Sequence, residues 1–201
     1  MKTIYSLLVI CLFASMAAMA QVGYKVGDYA TDFSLKNVDG KFVSMKDYKD
    51  AKGIILIFTC NHCPFSIAYE DRIKALHYAY VRRGYPVVAV NSNDAVAYPA
   101  DSYENMKERA TDERFPFAYV YDESQAFAKT YGATKTPHVF ILKKVDDKFK
   151  VVYIGAIDDN SNEPELVKTK YAENALRELI EGKEITQNMT KAVGCSIKWK
   201  K

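Results

Sequence analysis

The sequence has few cysteines, no clustered positive charge and no long apolar segment beyond its first residues, and each absence excludes a class of protein. After residue 20 no segment approaches the ~20 apolar residues of a transmembrane helix. Basic and acidic residues alternate along the helical segments and form no basic patch of the kind that binds nucleic acid. No second C-x-x-C pair and no H-x-x-x-H pair completes a four-ligand zinc site. We therefore expect no stable membrane insertion, no nucleic-acid partner and no metal.

The first twenty residues have the composition of a secretory signal peptide. Lys2 precedes an apolar stretch at residues 4–13, and small residues follow as far as Ala20. That stretch is too short to cross a bilayer comfortably. Cys11 follows bulky residues, which argues against a lipoprotein cysteine. We predict a signal peptide at 1–20 and export of the mature chain.

The mature chain has the size of one domain and an odd number of cysteines. Removal of the signal peptide would leave a net charge of +2 and enough residues for one well-buried core. We predict a single domain at 21–182, followed by a tail at 183–201 that has little periodicity and carries Cys195. The odd cysteine count favours thiol exchange or an intermolecular link, although the third thiol could also be free.

Strands and helices alternate along the sequence. A turn at Asn37-Val38-Asp39-Gly40 separates two short alternating segments and predicts an N-terminal β-hairpin. Asp101 and Ser102 are both candidates for the N-cap of a helix that follows them. The remaining strands are predicted at 54–59, 86–90, 117–121, 139–142 and 151–155, and the helices at 67–83, 103–113, 123–131 and 166–180. This order predicts an α/β fold in which a central mixed sheet has helices on both faces.

A C-x-x-C pair is the strongest chemical signal. Cys60-Asn61-His62-Cys63 follows an apolar run that is typical of a buried parallel strand, and a proline and a helical pattern come next. The first thiol would lie at the carboxyl end of a strand and the second at the start of a helix. Unpaired amides and the helix dipole favour a thiolate there, as a nucleophilic sulfur requires.

Two other interpretations of this pair are weaker. The pair could supply two ligands of a zinc site, but the remaining ligands are lacking, because His62, His77 and His138 are far apart in sequence. A structural disulfide between cysteines only two residues apart would constrain the unfolded chain little. Redox chemistry is the favoured interpretation of the pair.

Thr136-Pro137, just before a predicted strand, is the second signal. A proline at this place is usually an ordinary residue of a turn or strand start. If the peptide bond is cis, the backbone groups of Thr136 would be free to bind an extended substrate chain.

Together these motifs resemble the thioredoxin-like superfamily, in its extracytoplasmic branch near the TlpA-like and alkyl hydroperoxide reductase-like (AhpC/TSA) redoxins. The resemblance extends from about Tyr24 to Ile180. It is carried by the hairpin with Asp32-Phe33, by the junction from Phe58 to Pro64, by the approach Tyr131 to Pro137, and by Ile154-Gly155. The segment Gly194 to Trp199 is similar to the tail of a bacterial subgroup. The resemblance implies a thioredoxin-like fold with an added N-terminal hairpin.

The resemblance also implies a role for each residue of the site. Cys60 would be the attacking and more exposed thiol, Cys63 the buried resolving thiol, and Pro137 a cis-proline next to Thr136 that faces them. His62 stands where protein disulfide isomerase-like proteins also have histidine, and its imidazolium would stabilise the Cys60 thiolate.

This sequence departs from the family pattern in two ways. Thioredoxin has a buried acid in the strand before its first cysteine, whereas residues 53–59 contain no ionisable side chain. Glu70 lies about two helical turns beyond Cys63 and is a candidate replacement, although a solvent-exposed helix glutamate is the favoured interpretation. The peroxiredoxin pattern P-x-x-x-T-x-x-C is absent at both cysteines, which argues against peroxide chemistry.

These observations predict an exported, periplasmic thiol-disulfide oxidoreductase that acts on protein thiols and disulfides, exchanges electrons with an upstream redox partner and needs no cofactor. Cys195 is a candidate accessory thiol. The first alternative is a peroxide reductase in which Cys60 is peroxidatic. The second is a noncatalytic thioredoxin-like binding module, such as one that handles metal or haem.

Overall fold

The computed structural model describes residues 23–201. The predicted signal peptide at 1–20 and Cys11 lie outside the described residues. The helices of the described part are α1 (Pro64–Tyr80), α2 (Tyr103–Asp112), α3 (Ala126–Tyr131) and α4 (Tyr171–Ile180). The strands are β1 (Tyr29–Ala30), β2 (Ser34–Asn37), β3 (Phe42–Ser44), β4 (Gly53–Thr59), β5 (Val87–Asn91), β6 (Ala118–Tyr121), β7 (Lys135–Thr136), β8 (His138–Val145), β9 (Lys148–Gly155) and β10 (Cys195–Ser196).

Eight of these strands form one mixed sheet in the order β1-β9-β8-β4-β5-β6-β2-β3. The centre is parallel, because β4, β5 and β6 run in the same direction, while β8 and β9 pair antiparallel beside them. The remaining strands, β7 and β10, form a separate antiparallel pair. The predicted mixed sheet is confirmed, and β4 lies near its middle.

Both faces of β4 are buried, and its side chains alternate between two layers of core. Ile54, Leu56 and Phe58 pack on one face with residues of α3, and Ile55 and Ile57 pack on the other with residues of α1 and α4. A central strand covered on both sides is expected to be apolar at every position, as this one is. The prediction of helices on both faces of the sheet is therefore confirmed.

The N-terminal hairpin is also confirmed, since β2 and β3 pair antiparallel around the predicted turn. Two helix starts were predicted too early. Helix α4 begins at Tyr171, after a short 3-10 turn at Pro164–Leu166, and helix α3 begins only at Ala126. Ser102 is the N-cap of α2, where its side chain accepts a hydrogen bond from the Asn105 amide at 3.3 Å.

The carboxyl-terminal segment packs against the rest of the fold. The Thr190 amide donates to the Ile154 carbonyl at 3.0 Å, and Ile197 is 3% exposed within the core that covers one face of the sheet. Contacts of this kind were not expected from a tail with little periodicity. Among residues 23–201, no helix has the length and apolar character that crossing a membrane would require.

Candidate redox site

Strand β4 and helix α1 position the two cysteines as the sequence predicts. Strand β4 ends at Thr59, Cys60 follows, and Cys63 is the N-cap residue of α1, whose first residue is Pro64. Both cysteines are buried, with 2% of Cys60 and 0% of Cys63 exposed. The expectation of a more exposed Cys60 is therefore not met in this state of the molecule, because the surrounding elements cover the first cysteine almost as completely as the second.

The Thr136-Pro137 loop faces both cysteines. Its peptide bond is cis. The Thr136 hydroxyl lies 3.5 Å from Cys60 Sγ, and the Thr136 carbonyl oxygen lies 3.3 Å from Cys63 Sγ. The loop that was singled out from the sequence thus contacts each sulfur through a different polar group of the same residue.

The third cysteine joins the other two at this loop. Cys63 forms a disulfide with Cys195, with their Cα atoms 6.2 Å apart, and Cys60 is a free thiol. The C-x-x-C dithiol was expected to form its own redox pair, and in this state it does not. The physical reason is the pairing of β10 with β7, which places Cys195 directly opposite Thr136 and so beside Cys63.

Burial controls the ionisation of the free thiol. It raises the pKa of Cys60 above its usual value, and the nearby Asp101 carboxylate raises that pKa further. Hydrogen bonds from the Thr136 hydroxyl, the Cys63 backbone amide and the Ser66 hydroxyl act in the opposite direction. Cys60 is therefore held as a thiol by its surroundings while three donors are in place to stabilise a thiolate.

A buried carboxylate, which the sequence did not point to, organises the side of the site around His62. Asp101 is 0% exposed and lies 2.6 Å from His62 Nδ1 through Oδ2. Its Oδ1 accepts from the Asn61 amide at 2.8 Å, and its Oδ2 also accepts from Asn93 Nδ2 at 2.7 Å. The His62 ring stacks on Tyr98. His62 is thus fixed by a carboxylate and an aromatic ring, and its side chain is about a third exposed.

Glu70 is buried, so the favoured prediction of a solvent-exposed glutamate is wrong. Its two carboxylate oxygens accept from Arg109 Nε at 2.6 Å and from Arg109 Nη2 at 2.7 Å. Glu70, Cys60 and Tyr119 line a cavity of about 10 Å³, close to the smallest volume that holds one water molecule. Glu70 therefore lies near the first cysteine, and its charge is balanced by arginine.

One group among residues 23–201 has the donor types of a metal site. Sγ of Cys60, a ring nitrogen of His62 and a carboxylate oxygen of Asp101 lie within 4.8 Å of one another. Within that group the carboxylate already accepts three hydrogen bonds, two from neighbouring residues and one from the imidazole. The hydrogen bonds described above account for the close approach of these three residues without a metal ion.

The sequence pointed to Cys60, Cys63, His62, Glu70, Thr136, Pro137 and Cys195, and the fold brings all of these to one end of the central sheet. It missed Asp101, which has the sequence position of a helix cap, and Ser66, whose hydroxyl lies 3.8 Å from Cys60 Sγ. A signal for Asn93 was present, because the polar run Asn91-Ser92-Asn93 begins at the last residue of β5, at the carboxyl edge of the sheet, where α/β folds place ligands.

A mixed sheet of this topology, with a cysteine pair where β4 meets α1 and a facing cis-proline, defines a thioredoxin-like redoxin. Solved thioredoxin-like structures less than 25% identical to the chain share the fold, with TM-scores of 0.54 and 0.58. The chain belongs to the AhpC/TSA family, which matches residues 26–154.

Solved structures with higher identity cover most of the chain. A conserved protein from Geobacillus kaustophilus, described as uncharacterized, is 40% identical, with a TM-score of 0.80 over 88% of this chain and 93% of that one. The hypothetical protein SMc02350 from Sinorhizobium meliloti 1021 is 30% identical, with a TM-score of 0.81 over 89% of this chain and 96% of that one.

A relative with a stated activity is more distant. The thiol-disulfide oxidoreductase ResA of Bacillus thuringiensis subsp. konkukian is 26% identical over 123 residues, which make up 60% of this chain. The match spans 65% of the length of ResA. Similarity to a thiol-disulfide oxidoreductase thus extends over more than half of this chain.

Proposed function

We propose that this protein is an exported thiol-disulfide oxidoreductase that exchanges disulfides with protein partners. The observation that supports this most directly is the meeting of Cys60, Cys63 and Cys195 at the Thr136-Pro137 loop, where a free thiol lies beside a disulfide. Thiol-disulfide exchange requires such an arrangement and needs no organic cofactor. Similarity to ResA supports the same reaction class.

The proposed reaction begins with both thiols of the C-x-x-C pair reduced. The Cys60 thiolate attacks one sulfur of a substrate disulfide, a mixed disulfide forms, and the other substrate sulfur leaves as a thiolate. Cys63 then attacks Cys60 Sγ, so that the substrate is released as a dithiol and Cys60–Cys63 becomes the disulfide. In the reverse direction the Cys60–Cys63 disulfide oxidises a substrate dithiol. An upstream redox partner restores the starting state in either case.

The residues around the two cysteines would each assist a step of this reaction. The Thr136 hydroxyl, the Cys63 amide and the Ser66 hydroxyl would stabilise the Cys60 thiolate as it forms. Asp101 would keep His62 oriented beside the dithiol, since it accepts from the ring nitrogen. Helix α1 begins directly after Cys63, and its unpaired amides would stabilise the Cys63 thiolate, which attacks Cys60 in the forward direction and leaves in the reverse.

The test is a protein-disulfide reduction assay with insulin as substrate, on the wild type and on Cys60→Ser and Cys63→Ser variants. Thr111→Ala, an exposed change on α2, is the matched control. We expect both cysteine variants to fall to the uncatalysed rate and the control to match the wild type. Unchanged activity in Cys60→Ser would reject the proposal and leave Cys63–Cys195 as a structural crosslink.

Stopped-flow oxidation of Cys60 by hydrogen peroxide tests the alternative of a peroxide reductase. The proposed function predicts the slow rate of an ordinary thiol, since the P-x-x-x-T-x-x-C pattern is absent at both cysteines. Fast oxidation together with no insulin reduction would favour the peroxidase. Metal analysis of the purified protein addresses the binding-module alternative.

The proposed location rests on residues 1–20, which have the pattern of a signal peptide. Expression of the full chain in a bacterium, followed by fractionation and amino-terminal sequencing, tests it. We expect a periplasmic product that begins at Gln21. An uncleaved cytoplasmic product would contradict export.

A further inference from the structure

The segment Gly194–Trp199, called here the tail segment, lies along the Thr136-Pro137 loop in the way an extended peptide would. Strand β10 pairs antiparallel with β7, so that Cys195 is opposite Thr136 and Ser196 is opposite Lys135. One residue further, the Ile197 amide donates to the Thr134 carbonyl at 3.2 Å. The sequence suggested that the backbone groups next to the cis-proline would be free. They are not, because the protein's own tail segment is hydrogen-bonded to them.

Two positions of the tail segment fit the surface closely. A Cβ on Gly194 would overlap the carbonyl oxygen of Thr136, so only a residue without a side chain fits in front of the cysteine. Ile197, two residues after the cysteine, is 3% exposed and packs in the same core as the side chains of β4 that face α3. Ser196, between them, is exposed. The surface thus accommodates a pattern of glycine, cysteine, any residue and an aliphatic residue.

Buried polar groups hold the backbone beyond Ile197. The Lys198 carbonyl accepts from the Asp94 amide at 2.8 Å and from Gln125 Nε2 at 2.7 Å. The Lys198 amide donates to Asn93 Oδ1 at 2.9 Å. Gln125 is 0% exposed, and its Oε1 also accepts from the Lys200 amide at 2.7 Å. These partners bind main-chain groups, so they would hold another extended chain equally well.

We propose that this surface is the binding groove for polypeptide substrates and that the tail segment is an internal substrate that occupies it. The groove takes an extended cysteine-bearing segment, antiparallel to β7, with glycine before the cysteine and an aliphatic residue two positions after it. Cys63–Cys195 then joins the cysteine of the occupant to the resolving thiol, whereas a substrate would form its mixed disulfide on Cys60, whose sulfur lies beside the same Thr136. This inference rests on the proposed function, and it adds the kind of substrate and the competitor that substrates must displace.

Release of the tail segment follows from exchange among the three sulfurs. The Cys60 thiol loses its proton and attacks Cys63 Sγ, the Cys60–Cys63 bond forms, and the Cys63–Cys195 bond breaks. Cys195 leaves as a thiolate and takes up a proton, so that no electrons and no net protons are gained or lost. The groove can then admit a substrate in place of the tail segment.

The probe is a synthetic peptide of residues 191–199 whose cysteine carries a thionitrobenzoate group, so that attack by a protein thiol on the peptide sulfur releases a coloured thiol. It is mixed with reduced Cys195→Ser protein, in which the tail segment cannot form its disulfide. Peptides with Gly194→Val and with Ile197→Asp are compared, and a peptide with Ser196→Ala is the matched control. We expect the two misfit peptides to react about tenfold more slowly, because one overlaps the loop and the other buries a charge, and the control to react as the parent does.

The same series on reduced protein that carries Gly194→Val together with Cys195→Ser should keep the order of the four peptides with higher rates, because the misfit attached tail segment then competes less. Equal rates for all four peptides, all dependent on Cys60, would overturn the groove while leaving the proposed function intact. Rates no higher than those of Cys60→Ser protein would overturn the proposed function itself. Rates in that double variant no higher than those of Cys195→Ser would show that the tail segment does not block the groove, which also contradicts the proposal.

Discussion

Asp101 Oδ2 lies 2.6 Å from Nδ1 of His62, and this fully buried carboxylate acts on two groups of the redox site at once. It fixes the imidazole, and its charge raises the pKa of Cys60. A buried acid beside the dithiol is what the sequence of β4 lacks. The fold supplies it from the short 3-10 turn at Pro99–Asp101, which precedes α2.

Asp101→Asn should lower the pKa of Cys60, because the substitution removes a nearby negative charge while the thiol stays buried. Ultraviolet absorbance of the thiolate, followed against pH in the oxidised protein and corrected with Cys60→Ser, measures this. Asp112→Asn on α2 is the control and should leave the pKa unchanged. The change should also cost about 1–3 kcal/mol of stability, since an amide nitrogen cannot accept the hydrogen bonds that the carboxylate accepts. An unchanged or higher pKa would contradict the assigned role of Asp101.

Thr136→Val should have the opposite effect on the same titration. The Thr136 hydroxyl contacts Cys60 Sγ at 3.5 Å and favours the thiolate, so its loss should raise the pKa of Cys60 further. Thr111→Val, an exposed change on α2, serves as the control. If the two variants titrate alike, the hydroxyl does not donate to the sulfur.

The Glu70–Arg109 pair predicts an asymmetry in stability. Arg109→Met leaves a buried carboxylate without its partner and should cost about 2–3 kcal/mol, less than for a fully buried pair because the arginine is a quarter exposed. Glu70→Gln keeps an acceptor for the guanidinium and should cost about half as much. Lys107→Met, which breaks the exposed pair with Glu104, should stay within about 0.5 kcal/mol. Urea unfolding of the three variants compares them, and equal costs for the first two would rule out this account of Glu70.

Acid should destabilise the protein through His138. Burial lowers the pKa of His138 from 6.5 to about 4, so the folded state binds the proton only at a lower pH than the unfolded state does. Above pH 6.5 the side chain is neutral in both states. As pH falls from 6.5 to about 4 only the unfolded chain takes up the proton, and about 3 kcal/mol of stability is lost.

His138→Gln should lose that part of the pH dependence while it remains folded at pH 7. Urea unfolding at a series of pH values measures the difference between the two proteins. Burial also lowers the pKa of His77, so the variant should keep some acid sensitivity in the same range. A slope identical to that of the wild type would show that His138 does not titrate in this way.

Local pattern was sufficient to predict the central part of the fold. The run from Gly53 to Thr59 is apolar at every position because both of its faces are covered, and the proline after Cys63 marks the first turn of α1. The hairpin was predictable for the same reason, since its turn chemistry lies in consecutive residues. The very short strands β1, β7 and β10 were not, because two residues carry no periodicity and pair only where the rest of the fold places them.

The candidate site was predicted where its residues are close in sequence and missed where distant segments meet. Asp101 precedes a helix, where acids commonly serve as caps, and only the fold places it beside His62, 39 positions earlier in the chain. Glu70 was interpreted as solvent-exposed because a glutamate is seldom buried without a charged partner, and its partner Arg109 comes from α2. Cys195 was identified as a third thiol, but no spacing rule indicates which cysteine it joins.

The bond between Cys63 and Cys195 has a thermodynamic consequence that is separate from catalysis. It closes a loop between residues 132 positions apart, which includes four of the eight strands of the main sheet and every helix named above. In the chain-entropy description, a crosslink of that span lowers the conformational entropy of the unfolded chain and so raises its free energy by about 5 kcal/mol. The oxidised molecule should therefore unfold at a higher temperature than the reduced one, and the melting temperature of the protein becomes a readout of the redox conditions around it.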